Sequence, residues 1–337
     1  MRAVSFVKRL QWDLPGTVCR HGLTIGDVDN DGDNELVVGT AEGELYIFKG
    51  SELWQKIPGL GLITSVAIGD IFNYGRNALV VICGDGWAHI FYNQIDGNNE
   101  LNELSGKMEC VHVQRIPTNT KMILIADVDK DGANEMILAL TDRVVRSYRW
   151  SSNLELGRGK LVGLNKWEYG TPTLLVAQPG GTFMRIKCNP EDCHLEDETD
   201  HKSNETEASC VDYQTLGISR MRNQNISTEI IGDLEWKPYA LATLDGTIML
   251  VKDEVILWSM QVDHQIFSLC RLDVTGDGSD EIVACGWDGQ TYILDQQRNS
   301  VRFQFEEPIR AFCTGNYNVT PGFPTPCLVY NSFNNKV

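Results

Sequence analysis

The chain has 337 residues, 42% of them apolar, and a formal net charge of −17 from 46 acidic and 29 basic side chains. That excess of carboxylates argues against a nucleic-acid or anionic-membrane surface, since either needs clustered Lys and Arg. No stretch approaches the roughly 18 to 20 apolar residues of a membrane-spanning helix.

The opening residues carry Arg2, Lys8 and Arg9 where a secretory signal would need an uninterrupted apolar run, so a cytosolic or nuclear chain is expected. In a reducing compartment the ten cysteines are expected as thiols. Cys83, Cys270, Cys285, Cys313 and Cys327 stand inside apolar runs, where cysteine behaves as a small hydrophobe. Residues 4–12 read as a strand that precedes the first of a series of repeats.

The first repeat begins with the apolar run Leu23 to Gly26. Asp27-Val28-Asp29-Asn30-Asp31-Gly32-Asp33-Asn34-Glu35 follows, with acidic residues at alternate positions and a glycine where the chain must turn. A second apolar run, Leu36-Val37-Val38, leads to the turn at Glu42-Gly43 and a third run, Leu45-Tyr46-Ile47-Phe48. The pattern predicts a small antiparallel meander with a carboxylate-rich first turn. It recurs at Asp127-Val128-Asp129-Lys130-Asp131-Gly132-Ala133-Asn134-Glu135 and at Asp273-Val274-Thr275-Gly276-Asp277-Gly278-Ser279-Asp280-Glu281.

Weaker copies keep the pattern without most of the acids. They begin at Asp70, Asn165, Asp233 and Asn316. The second turn supports the same count, at Glu42-Gly43, Asp85-Gly86, Asp142, Gly180-Gly181, Asp245-Gly246, Asp288-Gly289 and Asn334-Asn335. Starts at 27, 70, 127, 165, 233, 273 and 316 give intervals of 43, 57, 38, 68, 40 and 43 residues. The shorter intervals fit a four-stranded propeller blade of about 40–50 residues. The expectation is an all-β, seven-bladed β-propeller forming one domain over 1–337.

The two long intervals require insertions. One is polar, at 93–107; the other is acidic, at 189–210, poor in apolar residues and expected to be disordered. Residues 53–57 and 256–260 match one another as outer strands. Because the last copy stops one strand short, the N-terminal strand is expected to complete the seventh blade as its outer strand and close the ring.

Carboxylates converging on a tight turn suit a hard cation, calcium first and magnesium second. The candidate ligands are Asp27, Asp29, Asp31, Asp33 (through its backbone carbonyl) and Glu35. They are joined by Asp127, Asp129, Asp131 and Glu135 in the third copy, and by Asp273, Thr275, Asp277 and Glu281 in the sixth. Such ions would be structural. The competing reading is that the aspartates accept backbone N–H groups as Asx-type turns and hold no metal. Cys188, Cys193, His194, His201 and Cys210 match no common zinc spacing. His264 reads as a hydrogen-bonded packing residue, and nothing assembles a base, a nucleophile and an oxyanion site, so a non-enzyme is expected.

The unit of apolar strand, Asp-x-Asp-x-Asp-Gly-x-x-Glu and apolar strand resembles the FG-GAP repeat of integrin alpha-subunit propellers. The longer phrases Thr141 to Trp150, Leu257 to Phe267 and Ala284 to Ile293 are similar to the integrin-alpha FG-GAP repeat-containing protein 2 family. That resemblance implies a non-enzymatic subunit of the KICSTOR complex. It further implies pairing with kaptin, attachment to a large scaffold subunit, and help in bringing the GATOR complex to the lysosomal surface. There the complex restrains mTOR complex 1 when nutrients are low. The alternative from a different class is a calcium-dependent binding module or hydrolase using the central channel.

Overall fold

Every element among the described residues is a β-strand, and most join their sequence neighbour in an antiparallel pair. The computed structural model describes residues 2–4, 7–93, 106–142, 144–153, 158–163, 173–178, 182–187, 211–215, 229–231, 238–252 and 255–337. Most of the polar 93–107 segment, the 189–210 segment and the zinc-like Cys/His group lie outside them, as do the starts of the fourth and fifth repeats. No helix of the described residues is long and apolar enough to cross a membrane.

After a short β1 (Arg2–Val4), the first meander is β2 (Val18–Gly26), β3 (Glu35–Thr40), β4 (Leu45–Lys49) and β5 (Glu52–Ile57). The second is β6 (Ile63–Gly69), β7 (Ala78–Cys83), β8 (Trp87–Tyr92) and β9 (Glu109–Arg115). The third is β10 (Thr120–Ala126), β11 (Glu135–Leu140), β12 (Val145–Asn153) and β13 (Arg158–Gly163). A three-stranded sheet holds β14 (Thr173–Gln178), β15 (Thr182–Lys187) and β16 (Val211–Thr215). It is followed by β17 (Glu229–Ile231), β18 (Tyr239–Ala242), β19 (Thr247–Lys252) and β20 (Val255–Gln261). The sixth meander is β21 (Ile266–Leu272), β22 (Glu281–Gly286), β23 (Gln290–Leu294) and β24 (Ser300–Gln304). The chain finishes in the hairpin β25 (Ile309–Thr320) and β26 (Phe323–Ser332).

The repeated sequence sets a repeated register. Gly26 pairs with Glu35, Ala126 with Glu135 and Leu272 with Glu281, so each glutamate faces the last residue of the preceding strand across its acidic turn. Second strands such as β3, β7 and β22 are buried along their whole length, because sheets pack on both of their faces. That is why they read as unbroken apolar runs rather than alternating ones. The predicted outer strands β5 and β20 stand at sheet edges and are largely exposed.

The core lies between neighbouring sheets. Val37, Leu45 and Ile47 of the first meander pack on Leu79, Val81 and Phe91 of the second. Val80, Ile82 and Ile90 of the second pack on Met136 and Leu138 of the third. Leu36, Val38 and Phe48 share a cluster with Ala311, Tyr317 and Val337. The second-turn glycines have a common task. The carbonyls of Gly43, Gly86, Gly246 and Gly289 accept the N–H groups of Leu60, Ile116, Val262 and Phe305 at 3.0, 2.8, 2.9 and 3.1 Å, tying the chain as it leaves each outer strand.

The N-terminal segment differs from expectation. Residues 4–12 do not form one strand beside the last hairpin. Instead β1 pairs in parallel with β24, adding a fifth strand to the sixth meander, while Asp13 bridges Lys336. Trp12 N–H donates to Val337 O at 2.8 Å and Val337 N–H to Trp12 O at 3.0 Å. The division follows side-chain chemistry. Trp12 packs on Phe48 with ring centroids 4.7 Å apart and donates its indole N–H to Ser51 O. Lys8 and Arg9 stay exposed between the two paired segments. The seventh copy also lacks a short turn after its first strand, since β25 runs through Gly315 and Asn316 to a tip at Pro321-Gly322.

Candidate functional site: the acidic loops

The three acidic loops fold alike because their aspartates first bind their own backbone. Asp27 Oδ2 accepts Gly32 N–H at 3.0 Å, Asp127 Oδ2 accepts Gly132 N–H at 2.9 Å, and Asp273 Oδ2 accepts Gly278 N–H at 2.8 Å. Asp31, Asp131 and Asp277 each accept the N–H two residues on, at 2.9, 2.9 and 2.8 Å. Glu35, Glu135 and Glu281 reach back to Val28, Val128 and Val274 N–H at 3.0, 3.1 and 2.7 Å. These are Asx-type closures, each holding the hairpin turn in one shape.

Around that scaffold, carboxylate oxygens of Asp27, Asp29 and Glu35 lie within 4.8 Å of one another, as do those of Asp127, Asp129 and Glu135. Asp33 stands apart. Its side chain accepts Asn318 Nδ2 at 2.6 Å and Gly322 N–H at 2.9 Å, capping the tip of the β25–β26 hairpin. Asp273, Thr275, Asp277 and Glu281 form no comparable cluster. Asp273 is taken up by Gly276, Asp277 and Gly278 N–H, and the Thr275 hydroxyl donates to Glu281 at 3.3 Å.

In both clusters a basic side chain enters from the third strand of the same meander. Lys49 Nζ lies 2.6 Å from Asp29 and 3.3 Å from Glu35, and also binds Asp31. Its three donors meet three carboxylates. Arg149 binds Asp131 at 2.7 Å and Asp129 at 3.3 Å, and pairs with Glu135 through both Nε and Nη2. The fully buried Glu35 carboxyl is pushed up to about 7 by burial, against the pull of Val28 N–H and Lys49. Burial also raises Glu135, against Arg149. Burial opposes the Lys49 charge, yet the hydrogen bonds it donates to Asp29 and Asp31 and the charge of Glu35 hold its pKa above the usual lysine range.

This arrangement decides how well a divalent ion fits. Asp27 Oδ1 and Asp127 Oδ1 are buried without a hydrogen-bond partner, which favours a cation nearby. Of the other oxygens, Asp27 Oδ2, Glu35 Oε2 and their counterparts Asp127 Oδ2 and Glu135 Oε2 accept backbone N–H groups of the loop, while Asp29, Glu35, Asp129 and Glu135 each also face the ammonium or guanidinium. A divalent ion about 4 Å from that charge would meet roughly 8 kcal/mol of repulsion at an effective dielectric constant near 20. With Lys49 and Arg149 in place, the first and third loops do not fit calcium or magnesium.

The loops are also joints between sheets, through asparagines that the sequence reading passed over. Asn30 exchanges two hydrogen bonds with the Asn77 backbone, at 3.0 and 2.6 Å, and Asn77 Nδ2 donates to Asp27 O at 2.9 Å. Asn73 and Asn134 repeat this one meander further on, with Asn134 Nδ2 donating to Asp70 O at 3.0 Å. Asn34 bonds to Asn318 and to Asn316 O in the last hairpin, at 3.0 and 2.7 Å. The signal was present in the sequence. Asn34, Asn77 and Asn134 each precede the first residue of a second strand.

Elsewhere, His264 binds Asp288 and packs obliquely on Tyr292. Trp54, an aromatic that could have lain open on an outer strand, is half-buried with Lys49 Nζ 5.5 Å above its ring.

A family model described as integrin-alpha FG-GAP repeat-containing protein 2 matches residues 49–337. A Mus musculus relative named KICSTOR complex protein ITFG2 is 41% identical over all of this chain and 84% of its own length. A Bos taurus relative of the same name is 36% identical over all of this chain and 70% of its own. Among solved structures, BBS1N from its complex with ARL6DN superposes with a TM-score of 0.61 at 13% identity, covering 98% of this chain and 96% of that one. The β-propeller domain of Cps50 (Swd1) from Myceliophteria thermophila gives 0.57 at 11% identity, covering 96% and 97%. At these identities the structural likeness speaks for the fold alone, which is that of a β-propeller.

Proposed function

Because the chain belongs to the integrin-alpha FG-GAP repeat-containing protein 2 family, we propose that it is a non-enzymatic interaction subunit of the KICSTOR complex. The observation that carries this reading is identity of 36–41% over the whole chain to two relatives named as KICSTOR complex proteins. In this reading the chain is a ring of seven blades. Its partner propeller is kaptin, and a large scaffold subunit holds the pair. Together they bring the GATOR complex to the lysosomal surface, where mTOR complex 1 is restrained when nutrients are low. The protein itself is cytoplasmic and binds neither nucleic acid nor the bilayer interior.

Several features support a rigid scaffold of this kind. Seven repeats are legible in the sequence. The pairing of Trp12 with Val337, and the cluster that joins Leu14 and Val18 to Ala311 and Tyr317, bring the first meander against the last hairpin. The acidic side chains that would be candidates for chemistry are engaged in closing their own turns and joining neighbouring sheets, which suits a frame whose faces present loops to partners.

The test is affinity purification of the tagged chain from cells held in low-nutrient medium, with co-purifying proteins identified by mass spectrometry. Stoichiometric recovery of kaptin and the large scaffold is expected. Recovery of the chain alone, soluble and monomeric, would overturn the assignment.

A further inference from the structure

We infer that Lys49 and Arg149 are built-in cations that stand in for a metal ion, so that the first and third acidic loops close without calcium. Two observations carry this independently of the assignment to a complex. The first is geometric. Lys49 makes its contacts with Asp29, Asp31 and Glu35, and Arg149 makes the matching ones with Asp129, Asp131 and Glu135.

The second is one of register. Arg149 follows Glu135 by 14 residues, and Lys49 holds the same place after Glu35. A basic residue also stands at this register in the fourth and fifth meanders, where Lys187 pairs with Thr173 and Lys252 follows Pro238 by 14 residues, although those repeats lack the acidic trio; in the first and third the charge and the trio coincide. In the second meander the glutamate position is Ala78 and the matching residue is Tyr92. In the sixth, where Thr275 replaces an aspartate, the matching residue is Asp295, which binds Asn299 instead. In the first and third loops it is the contacts that place the basic residue inside the carboxylate set. It supplies the counter-charge a divalent ion would supply, and through a side chain that cannot dissociate or be chelated.

The experiment uses the purified full chain and three preparations: wild type, Lys49→Met, and the double variant Asp29→Asn with Asp129→Asn. Thermal unfolding is recorded with millimolar calcium or with chelator, and terbium luminescence reports metal binding directly. The wild-type midpoint is expected to be the same in calcium and in chelator. Lys49→Met is expected to melt about 5 °C lower in chelator, and to recover part of that loss in calcium because its four carboxylates are then free to take an ion.

A wild-type midpoint that rises with calcium, or saturable terbium binding by wild type that the double variant abolishes, would overturn the inference. So would a Lys49→Met protein that melts like wild type in chelator. Should Lys49→Met fail to fold, the wild-type comparison and the terbium titration decide the matter alone.

Discussion

Replacing Gly86 with alanine and, separately, Gly32 with alanine separates two contributions that usually come mixed. Both glycines have the same positive φ of +92°. Gly32 sits at the tip of the first acidic loop, and a Cβ built there would meet nothing within 4 Å. Its alanine variant therefore carries only the backbone term, about 1–2 kcal/mol for an L-residue held left-handed. Gly86 lies in a second turn, where a Cβ would come 2.6 Å from Ile116 O and 3.2 Å from Thr118 Cγ2. Relieving that overlap pushes back the segment following β9 and strains the Ile116 N–H to Gly86 O bond of 2.8 Å. Overpacking against backbone adds about 1–3 kcal/mol, so Gly86→Ala is expected to lose about 3–4 kcal/mol in total. Urea unfolding followed by tryptophan fluorescence, with midpoints compared at a common slope, measures both. Equal losses for the two variants would refute the claim that second-turn glycines are there to let adjacent backbone approach.

His21, on β2 beside Ser65 of β6, is pushed down to about 3 by burial, with Arg20 and Lys121 adding repulsion. Between pH 6.5 and 3 the unfolded chain binds a proton that the folded one refuses, so stability falls as pH falls, by up to about 1.4 kcal/mol per unit. Melting curves across that range should show His21→Gln losing less than wild type, and parallel curves would remove His21 as the cause. Asn30→Gly deletes both hydrogen bonds to the Asn77 backbone while leaving a residue that tolerates the φ of +63° found there. It is expected to cost about 1–3 kcal/mol by urea unfolding; a neutral result would mean the asparagine joint contributes nothing to holding the first two sheets together.

What was legible in the sequence is what repeats at short range. The acidic turns, their glycines and the buried second strands announce themselves because each is set by residues within one hairpin, and the register from Gly26–Glu35 to Leu272–Glu281 follows directly. The partners of those turns were harder to see. Lys49 and Arg149 belong to a different strand from the loops they enter, and a lone basic residue at the end of an apolar run looks like a solvated strand terminus. Asn30 and Asn77 come from different repeats, so only a comparison of aligned copies would have singled them out. The N-terminal strand was misplaced for a related reason. An apolar run says that it will pair, whereas its partner is chosen by contacts distant in sequence, here β24 for residues 2–4 and Val337 for Trp12.

The pairing of Trp12 with Val337 also has a meaning in time. Contacts between residues so far apart in sequence carry a closure entropy on the order of 5 kcal/mol in a disordered chain. They cannot form on the ribosome until Val337 has emerged. While synthesis proceeds, the first meander waits with Leu36, Val38, Tyr46 and Phe48 uncovered by the last hairpin, whose Ala311 and Tyr317 complete that cluster. Each nascent molecule thus passes through a state with one sheet face open and apolar, the kind of intermediate that aggregates or recruits a chaperone. Mutations around Trp12 or Val337 should therefore lower the yield of folded protein by slowing this docking step, even where the finished molecule would tolerate them.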